Sequence, residues 1–154
     1  MIYGVKTIGE FLLLAPTIST PTNEDNVKFA HLMAAITKPK ASVAVVLAGV
    51  MPYFLERPYI DVLGKNDSYI AHLPIRVLHG ANQYTDYHPG HRKWDYSYTI
   101  GKLKPDVLAQ LWLNTEEAEP YLKEYTKVTI QEREMYLRTD SKEIKWDVVD
   151  SLVR

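Results

Sequence analysis

Apolar residues recur at spacings of three and four positions after the polar, turn-rich stretch at 19–26, and this spacing is typical of the buried face of an amphipathic helix. The repeating positions are Val27, Phe29, Ala30, Leu32, Met33 and Ile36. Thr22 or Asn23 is the expected N-cap, and Pro39 lies where the helix has to end. The pattern therefore predicts one amphipathic helix in this part of the chain.

A nearly unbroken apolar run, ASVAVVLAGV at 41–50, predicts a strand that is covered on both faces. Further strands are predicted at 59–63, 106–113, 125–130 and 135–138, and helices at 67–73, 94–103, 115–125 and 142–154. Strands that alternate with helices favour right-handed crossovers between parallel neighbours. We therefore predict an α/β fold, a Rossmann-like three-layer sandwich with a mostly parallel sheet of about four or five strands.

The chain has 154 residues, about the length of one domain. We interpret 1–22 as a lead-in segment and 23–154 as a single α/β domain. The apolar run between Phe11 and Pro16 is shorter than the ~20 residues of a membrane-spanning helix, and Lys6 and Glu10 precede it. We expect it to be extended or partly helical; the alternative is the end of a membrane helix lying upstream.

The composition narrows the function classes. The chain is 46% hydrophobic and 24% charged with a net charge of −1, which fits neither a disordered segment nor a basic nucleic-acid-binding domain. It contains no cysteine, so a disulfide scaffold, a zinc-thiolate site and a cysteine nucleophile are excluded. The strings GxGxxG, Walker A and GxSxG are absent after the predicted strands, so dinucleotide, nucleotide-triphosphate and serine-hydrolase functions have no support.

Polar residues follow the second predicted strand, where ligands bind in open parallel sheets. Asp61 lies within an apolar strand, so its carboxylate needs a partner, and Arg57 and Lys65 are the nearest cations in sequence. Asp67 is explained as a helix cap. A second polar string, HGANQYTDYHPGHRKWDYSY at 79–98, begins in the predicted loop at 74–93 and ends just beyond it. Its titratable residues are His79, Asp86, His88, His91, Arg92, Lys93 and Asp95.

This second string has more than one chemical interpretation. Imidazoles and carboxylates suit a metal ion, but HPGH at 88–91 is a turn and gives no helical ligand spacing. Arg92 and Lys93 beside His91 suit a phosphate or carboxylate. A solvated loop is the plain alternative. Seven of the eleven tyrosines fall between Tyr53 and Tyr98, and they suit either a cover over the sheet or contact with a sugar or a membrane interface.

Two long strings resemble a known family: AVVLAGVMPYFLERPYIDVLGKNDSYIAHLP and HPGHRKWDYSYTIGKLKPDVL. They are similar to the soluble C-terminal extracytoplasmic domain of bacterial GT-C-type polytopic membrane glycosyltransferases, relatives of protein mannosyltransferases and lipid-linked arabinose transferases. The resemblance covers roughly residues 25–138. It implies a location at the extracytoplasmic face of the bacterial membrane, beside helices that hold the catalytic carboxylate and use a polyprenyl-phosphate-linked sugar. This sequence does not match those helices, so we expect no catalysis by this chain alone.

The first hypothesis is therefore an accessory binding domain without a catalytic residue, a metal or a cofactor. It would contact a glycan, a lipid-linked sugar phosphate or the transmembrane domain of the glycosyltransferase. Its expected ligand-binding residues are Tyr53, Asp61, Lys65, Asp67, His91, Arg92, Lys93 and Asp95. The second hypothesis is a small free-standing enzyme in which Asp61, Asp67 and His91 act as acid, base and metal ligands. The third is a purely structural lid.

Overall fold

The computed structural model describes Leu12 and residues 20–77 and 90–153. The α-helices in this part of the chain are α1 (Thr20–Ile36), α2 (Val50–Leu55), α3 (Ser68–His72) and α4 (Trp146–Leu152). The strands are β1 (Val43–Val45), β2 (Tyr59–Asp61), β3 (Val107–Leu108), β4 (Tyr125–Ile130) and β5 (Arg133–Arg138). A π-helical segment spans Ser97–Lys102, and 3₁₀ helices span Thr115–Glu117 and Glu119–Glu124. None of the described helices is long and apolar enough to cross a membrane.

The five strands form one mixed sheet in the order β2-β1-β3-β5-β4. β1 is parallel to both β2 and β3, whereas β5 is antiparallel to both β3 and β4. The α/β class and the number of strands are confirmed, but the prediction of a mostly parallel sheet is wrong. The reason is the hairpin turn of Gln131 and Glu132, both at positive φ, because a two-residue link joins antiparallel strands only.

Alternating residues of the central strands feed two separate apolar cores, one on each face of the sheet. Val43 and Val45 of β1 pack with buried residues of α1, α2 and α4. Ala44 of β1 and Leu108 of β3 point the other way, into a core that includes Trp94. The predicted burial of the central strands on both faces is confirmed, as expected for parallel strands.

Several predicted elements have different bounds or a different type. α1 begins at Thr20, so neither Thr22 nor Asn23 is its N-cap. The helix predicted at 94–103 is a shorter π-helical segment, and the one predicted at 115–125 is two 3₁₀ helices. Pro120 lies inside that second stretch and has no N–H to donate, which disfavours a continuous α-helix. The division at residues 22 and 23 stays a prediction.

A buried carboxylate joins three strands at one end of the sheet. Asp106, immediately before β3, is 6% exposed. Its Oδ2 accepts hydrogen bonds from the main-chain N and the Oγ of Ser42, at 2.8 and 2.9 Å. Its Oδ1 accepts from Arg138 Nη2 and Ser141 Oγ, both at 2.7 Å. Burial raises the pKa of this carboxyl, but the hydrogen bonds and the Arg138 charge outweigh burial and lower the pKa.

Candidate functional site

The turn after β2 is built around the buried carboxylate of Asp61, which is 3% exposed. Its oxygens accept hydrogen bonds from the main-chain N–H groups of Leu63 and Asn66, at 2.9 and 2.6 Å. The prediction that Arg57 or Lys65 pairs with Asp61 is therefore wrong. The chain turns back directly after the strand and offers its own amides, so the carboxylate has donors without a cation.

Gly64 sets the close approach of that turn to α3. Its φ is +72°, and a Cβ at this position would lie 2.6 Å from Ile70 Cγ2 and 2.8 Å from the Ala71 main-chain N. Only glycine combines this backbone angle with this spacing. Asp67 then begins the helix: its Oδ1 accepts from the Ile70 main-chain N at 2.9 Å, which confirms the predicted cap.

The two polar strings, distant in sequence, meet beside α3. Tyr69 Oη donates to Asp95 Oδ2 at 3.2 Å, and Tyr98 Oη donates to Asp67 Oδ2 at 3.2 Å. The two phenol rings pack with their centroids 4.2 Å apart. We call Asp67, Tyr69, Asp95 and Tyr98 the rim cluster. Its crossed hydrogen bonds bring the two strings together.

Two lysines of the strings form further links across the same junction. Lys65 Nζ lies 2.8 Å from His91 Nε2, and Lys93 Nζ donates to the Ala71 carbonyl at 2.5 Å. The His91 ring also packs 5.6 Å from the Trp112 ring, and the Trp112 indole donates to the His91 carbonyl at 2.9 Å. Lys65, His91 and Lys93 therefore lie at the junction together with the rim cluster.

The pKa shifts of three rim-cluster residues fit tyrosine side chains that donate to carboxylates. Burial raises the pKa of Asp95, but hydrogen bonds from Ser97, the Tyr98 main chain and Tyr69 outweigh burial and lower the pKa. The hydrogen bond to Asp95 raises the pKa of Tyr69. Burial and then the bond to Asp67 raise the pKa of Tyr98. At neutral pH the two phenols stay protonated and can donate these hydrogen bonds.

The two remaining predicted site residues, Arg92 and Tyr53, make contacts of other kinds. Arg92 turns back on the main chain, where its Nε and Nη2 donate to the Arg76 carbonyl at 3.0 and 2.7 Å. Tyr53 is 79% exposed on α2, and its ring contacts Phe54 edge-on at 5.0 Å.

The metal interpretation gains no support from the described part of the chain. No three histidine, aspartate or glutamate side chains described there come together as a group that could hold a metal ion. The predicted candidates His79, Asp86 and His88 lie outside the described residues.

An open cleft of about 410 Å³ borders the rim cluster and shares Asp95 with it. In the lining of this cleft, Arg76 Nη1 and Glu117 Oε2 form an ion pair at 2.6 Å. The Arg76 guanidinium also lies 4.3 Å from the centre of the Trp94 ring. Sequence reasoning missed this pair because the two residues are 41 positions apart. No short motif connects positions so far apart.

Comparisons with known proteins place the chain in a family. A search of curated proteins and a search of solved structures each found no significant match. Residues 17–147 match the family model described as a domain of unknown function, DUF8728. Because this match covers most of the chain, the protein belongs to the DUF8728 family.

Proposed function

We propose that this chain is a non-catalytic accessory domain that binds carbohydrate beside a membrane glycosyltransferase using a polyprenyl-phosphate-linked sugar. The observation that carries its binding role is the convergence of two distant polar strings next to an open cleft of about 410 Å³. The nature of the partner and the extracytoplasmic location rest on the resemblance of the two strings. Three adjacent parallel strands with cores on both faces support the finer proposal of a Rossmann-like three-layer sandwich.

The electrostatics of the cleft favour hydrogen-bond acceptors over a general acid. Burial raises the pKa of both Asp95 and Glu117, but hydrogen bonds outweigh it and both pKa values are lowered. Both carboxyls are therefore ionised at neutral pH, whereas a general acid needs a raised pKa. Held by neighbouring donors, these carboxylates act as fixed hydrogen-bond acceptors.

A purely structural lid is the second candidate, because many polar atoms of the strings bind within the chain itself. Lys93 donates to a main-chain carbonyl, and Arg92 does so twice. Such bonds stabilise the junction whether or not a ligand binds. The two candidates differ in one measurable respect: a lid predicts that changes at the junction alter stability alone.

The experiment measures sugar transfer in membranes from cells that carry either the wild-type chain or the double variant His91→Ala and Lys93→Ala. Radiolabelled polyprenyl-phosphate mannose and polyprenyl-phosphate arabinose serve as donors. We expect the double variant to lower transfer, with the melting temperature of the purified domain showing that it stays folded. The matched control is His31→Ala with Lys40→Ala, two exposed residues that lie outside both polar strings.

Each outcome separates the candidates. Reduced transfer by a folded double variant, with the control unchanged, supports the accessory domain. Unchanged transfer with both donors contradicts it. A lower melting temperature with unchanged transfer favours the structural lid.

A further inference from the structure

Neighbouring groups hold the ion pair of Arg76 and Glu117 in place, but both side chains remain partly exposed. The Arg76 main-chain N donates to the Arg92 carbonyl at 2.8 Å, and the guanidinium stacks on the Trp94 ring. Glu117 accepts from Arg76 and also from Asn114 Nδ2, at 3.2 Å. Even so, the two side chains remain 34% and 37% exposed. Donors and acceptors that are held in place before binding lose little entropy when a ligand arrives.

Trp94 lies behind this pair, and its indole N–H is near Glu117. The residue is 2% exposed, and its buried indole N–H makes no well-aligned hydrogen bond to any described residue. It is nevertheless close enough to Glu117 to help lower the pKa of that carboxyl, after the larger effects of burial and of Arg76 and Asn114. A buried donor without a full partner is rare in folded proteins. Here the donor lies beside Glu117, at the edge of the cleft.

The charges described at the cleft decide which ligands it accepts. Asp95 and Glu117 are both anionic, and Arg76 is the one cation among the described lining residues. A phosphate or a carboxylate would meet more negative than positive charge there. A sugar hydroxyl, by contrast, both donates to a carboxylate and accepts from a guanidinium.

The shape of the cleft agrees with this chemistry. Tyr121 lines it, and one side of its ring packs so closely on Gly101 that a Cβ there would lie 2.9 Å from Tyr121 Cδ1. That packing fixes the ring as an apolar wall. The volume of about 410 Å³ falls within the roughly 300 to 1,000 Å³ usual for small-molecule sites.

We infer that this cleft binds an uncharged sugar residue, with Arg76 and Glu117 binding its hydroxyl groups, and that it rejects the phosphate of a sugar phosphate. The inference rests on the proposed function and deepens it by naming the part of the ligand that this site recognises. The phosphate of a lipid-linked sugar then lies outside the cleft.

The test is an NMR titration of the whole chain, followed at the indole N–H resonance of Trp94. Trp112→Phe and Trp146→Phe variants assign this resonance among the three tryptophans. The neutral probes are methyl α-mannopyranoside, methyl α-arabinofuranoside and mannobiose, and the anionic probes are mannose 1-phosphate and inorganic phosphate. We expect the Trp94 resonance to shift with saturation for at least one neutral probe, and inorganic phosphate to leave it in place.

Variants of neighbouring glutamates test the assigned residue. Glu117→Gln keeps the shape but removes the charge, and we expect it to weaken sugar binding about tenfold, since a hydrogen bond to a charged group becomes a weaker one to a neutral amide. Glu116→Gln is the matched control one position away, and we expect its affinity to equal that of the wild type. Asn114→Gly is a second variant. Glycine tolerates the positive φ of 53° at this position, and the change removes only one hydrogen bond to Glu117.

The inference is overturned if the Trp94 resonance shifts with none of the three neutral sugars, or if either anionic probe binds more tightly than all of them. Equal losses for Glu117→Gln and Glu116→Gln also contradict it. Sugar binding that depends on Glu117, combined with unchanged transfer in the membrane assay, leaves this inference standing and refutes the proposed function instead.

Discussion

Polar residues gather at both ends of the parallel strands, but they are organised differently. At the amino ends, Ser42 precedes β1 and Asp106 precedes β3, and one buried carboxylate accepts four hydrogen bonds. At the carboxyl end of β2, Asp61 begins a turn that leads to the rim cluster and the cleft. There the carboxylates accept hydrogen bonds from phenols and main-chain amides, and several of these carboxylates are partly exposed.

The difference indicates a division of labour within one small sheet. A buried, fully bonded carboxylate joins strands that would otherwise separate, so its contribution is to global stability. Partly exposed groups beside a cleft contribute less to stability and remain able to meet a ligand. Changes at the amino ends are therefore expected to unfold the protein, and changes at the carboxyl end to alter binding.

The largest effect is expected for Asp106→Ala. Removing this carboxylate leaves Arg138 and the Ser42 main-chain N without their buried acceptor, so we expect the free energy of unfolding to fall by about 3 to 5 kcal/mol. Urea unfolding followed by circular dichroism measures it. Asp140→Ala is the control, because Asp140 also contacts Arg138, at 3.0 Å, but its side chain is 83% exposed. An exposed ion pair contributes about 1 kcal/mol or less, and equal losses for both variants would contradict the comparison.

Gly64→Ala should have the next largest effect, because it acts on the carboxyl end through the backbone. The alanine meets both a positive φ and a clash with Ile70, and we expect a loss of about 2 to 3 kcal/mol in unfolding free energy. Gly90→Ala separates these two causes, since Gly90 also has a φ of +72° but a Cβ there would have no atom of the described residues within 4 Å. A loss at Gly90 as large as that at Gly64 would show that the close approach to α3 is unimportant.

Local chemistry made part of this arrangement predictable from the sequence. Asp67 caps α3 through a residue three positions away, and the apolar run around Val43 is long enough to indicate a buried strand. The strands at 125–130 and 135–138 were also predicted, but local alternation does not tell which neighbours they pair with. Asp61 was expected to need a cation because sequence does not show how sharply the following turn presents its amides. The pairing of Arg76 with Glu117 depends on tertiary packing alone.

Acidification is expected to remove part of the stability that Asp106 provides. Its pKa is lowered in the folded protein, so this stability is present above the unfolded value of about 4 and is lost as the pH falls through the folded value. The difference in unfolding free energy between wild type and Asp106→Asn should therefore shrink as the pH falls from 7 to 3. Urea titrations at several pH values measure it. A difference that stays constant or grows on acidification would contradict the assignment of an ionised Asp106.

The smallest effects on stability are expected for Tyr69→Phe and Tyr98→Phe. Each removes one phenol that donates to a partly exposed carboxylate while keeping the packed ring. Tyr69→Phe should raise the pKa of Asp95, because that hydrogen bond helps to lower it. A carbon-detected NMR titration of the Asp95 carboxyl measures this pKa. Tyr98→Phe is the comparison, because it removes the phenol that donates to Asp67 and leaves the Tyr69 phenol on Asp95.

Thermal unfolding of the two single variants and the double variant completes this comparison. Because the rings touch, the decrease in melting temperature of the double variant should differ from the sum of the decreases of the single variants. The effects of distant sites, by contrast, are additive. The expected decrease in melting temperature is smaller than that of Gly64→Ala in every case. If either tyrosine variant instead destabilised the protein as much as Asp106→Ala, the carboxyl end would share the structural role of the amino ends, and the division between the two ends of the sheet would be wrong.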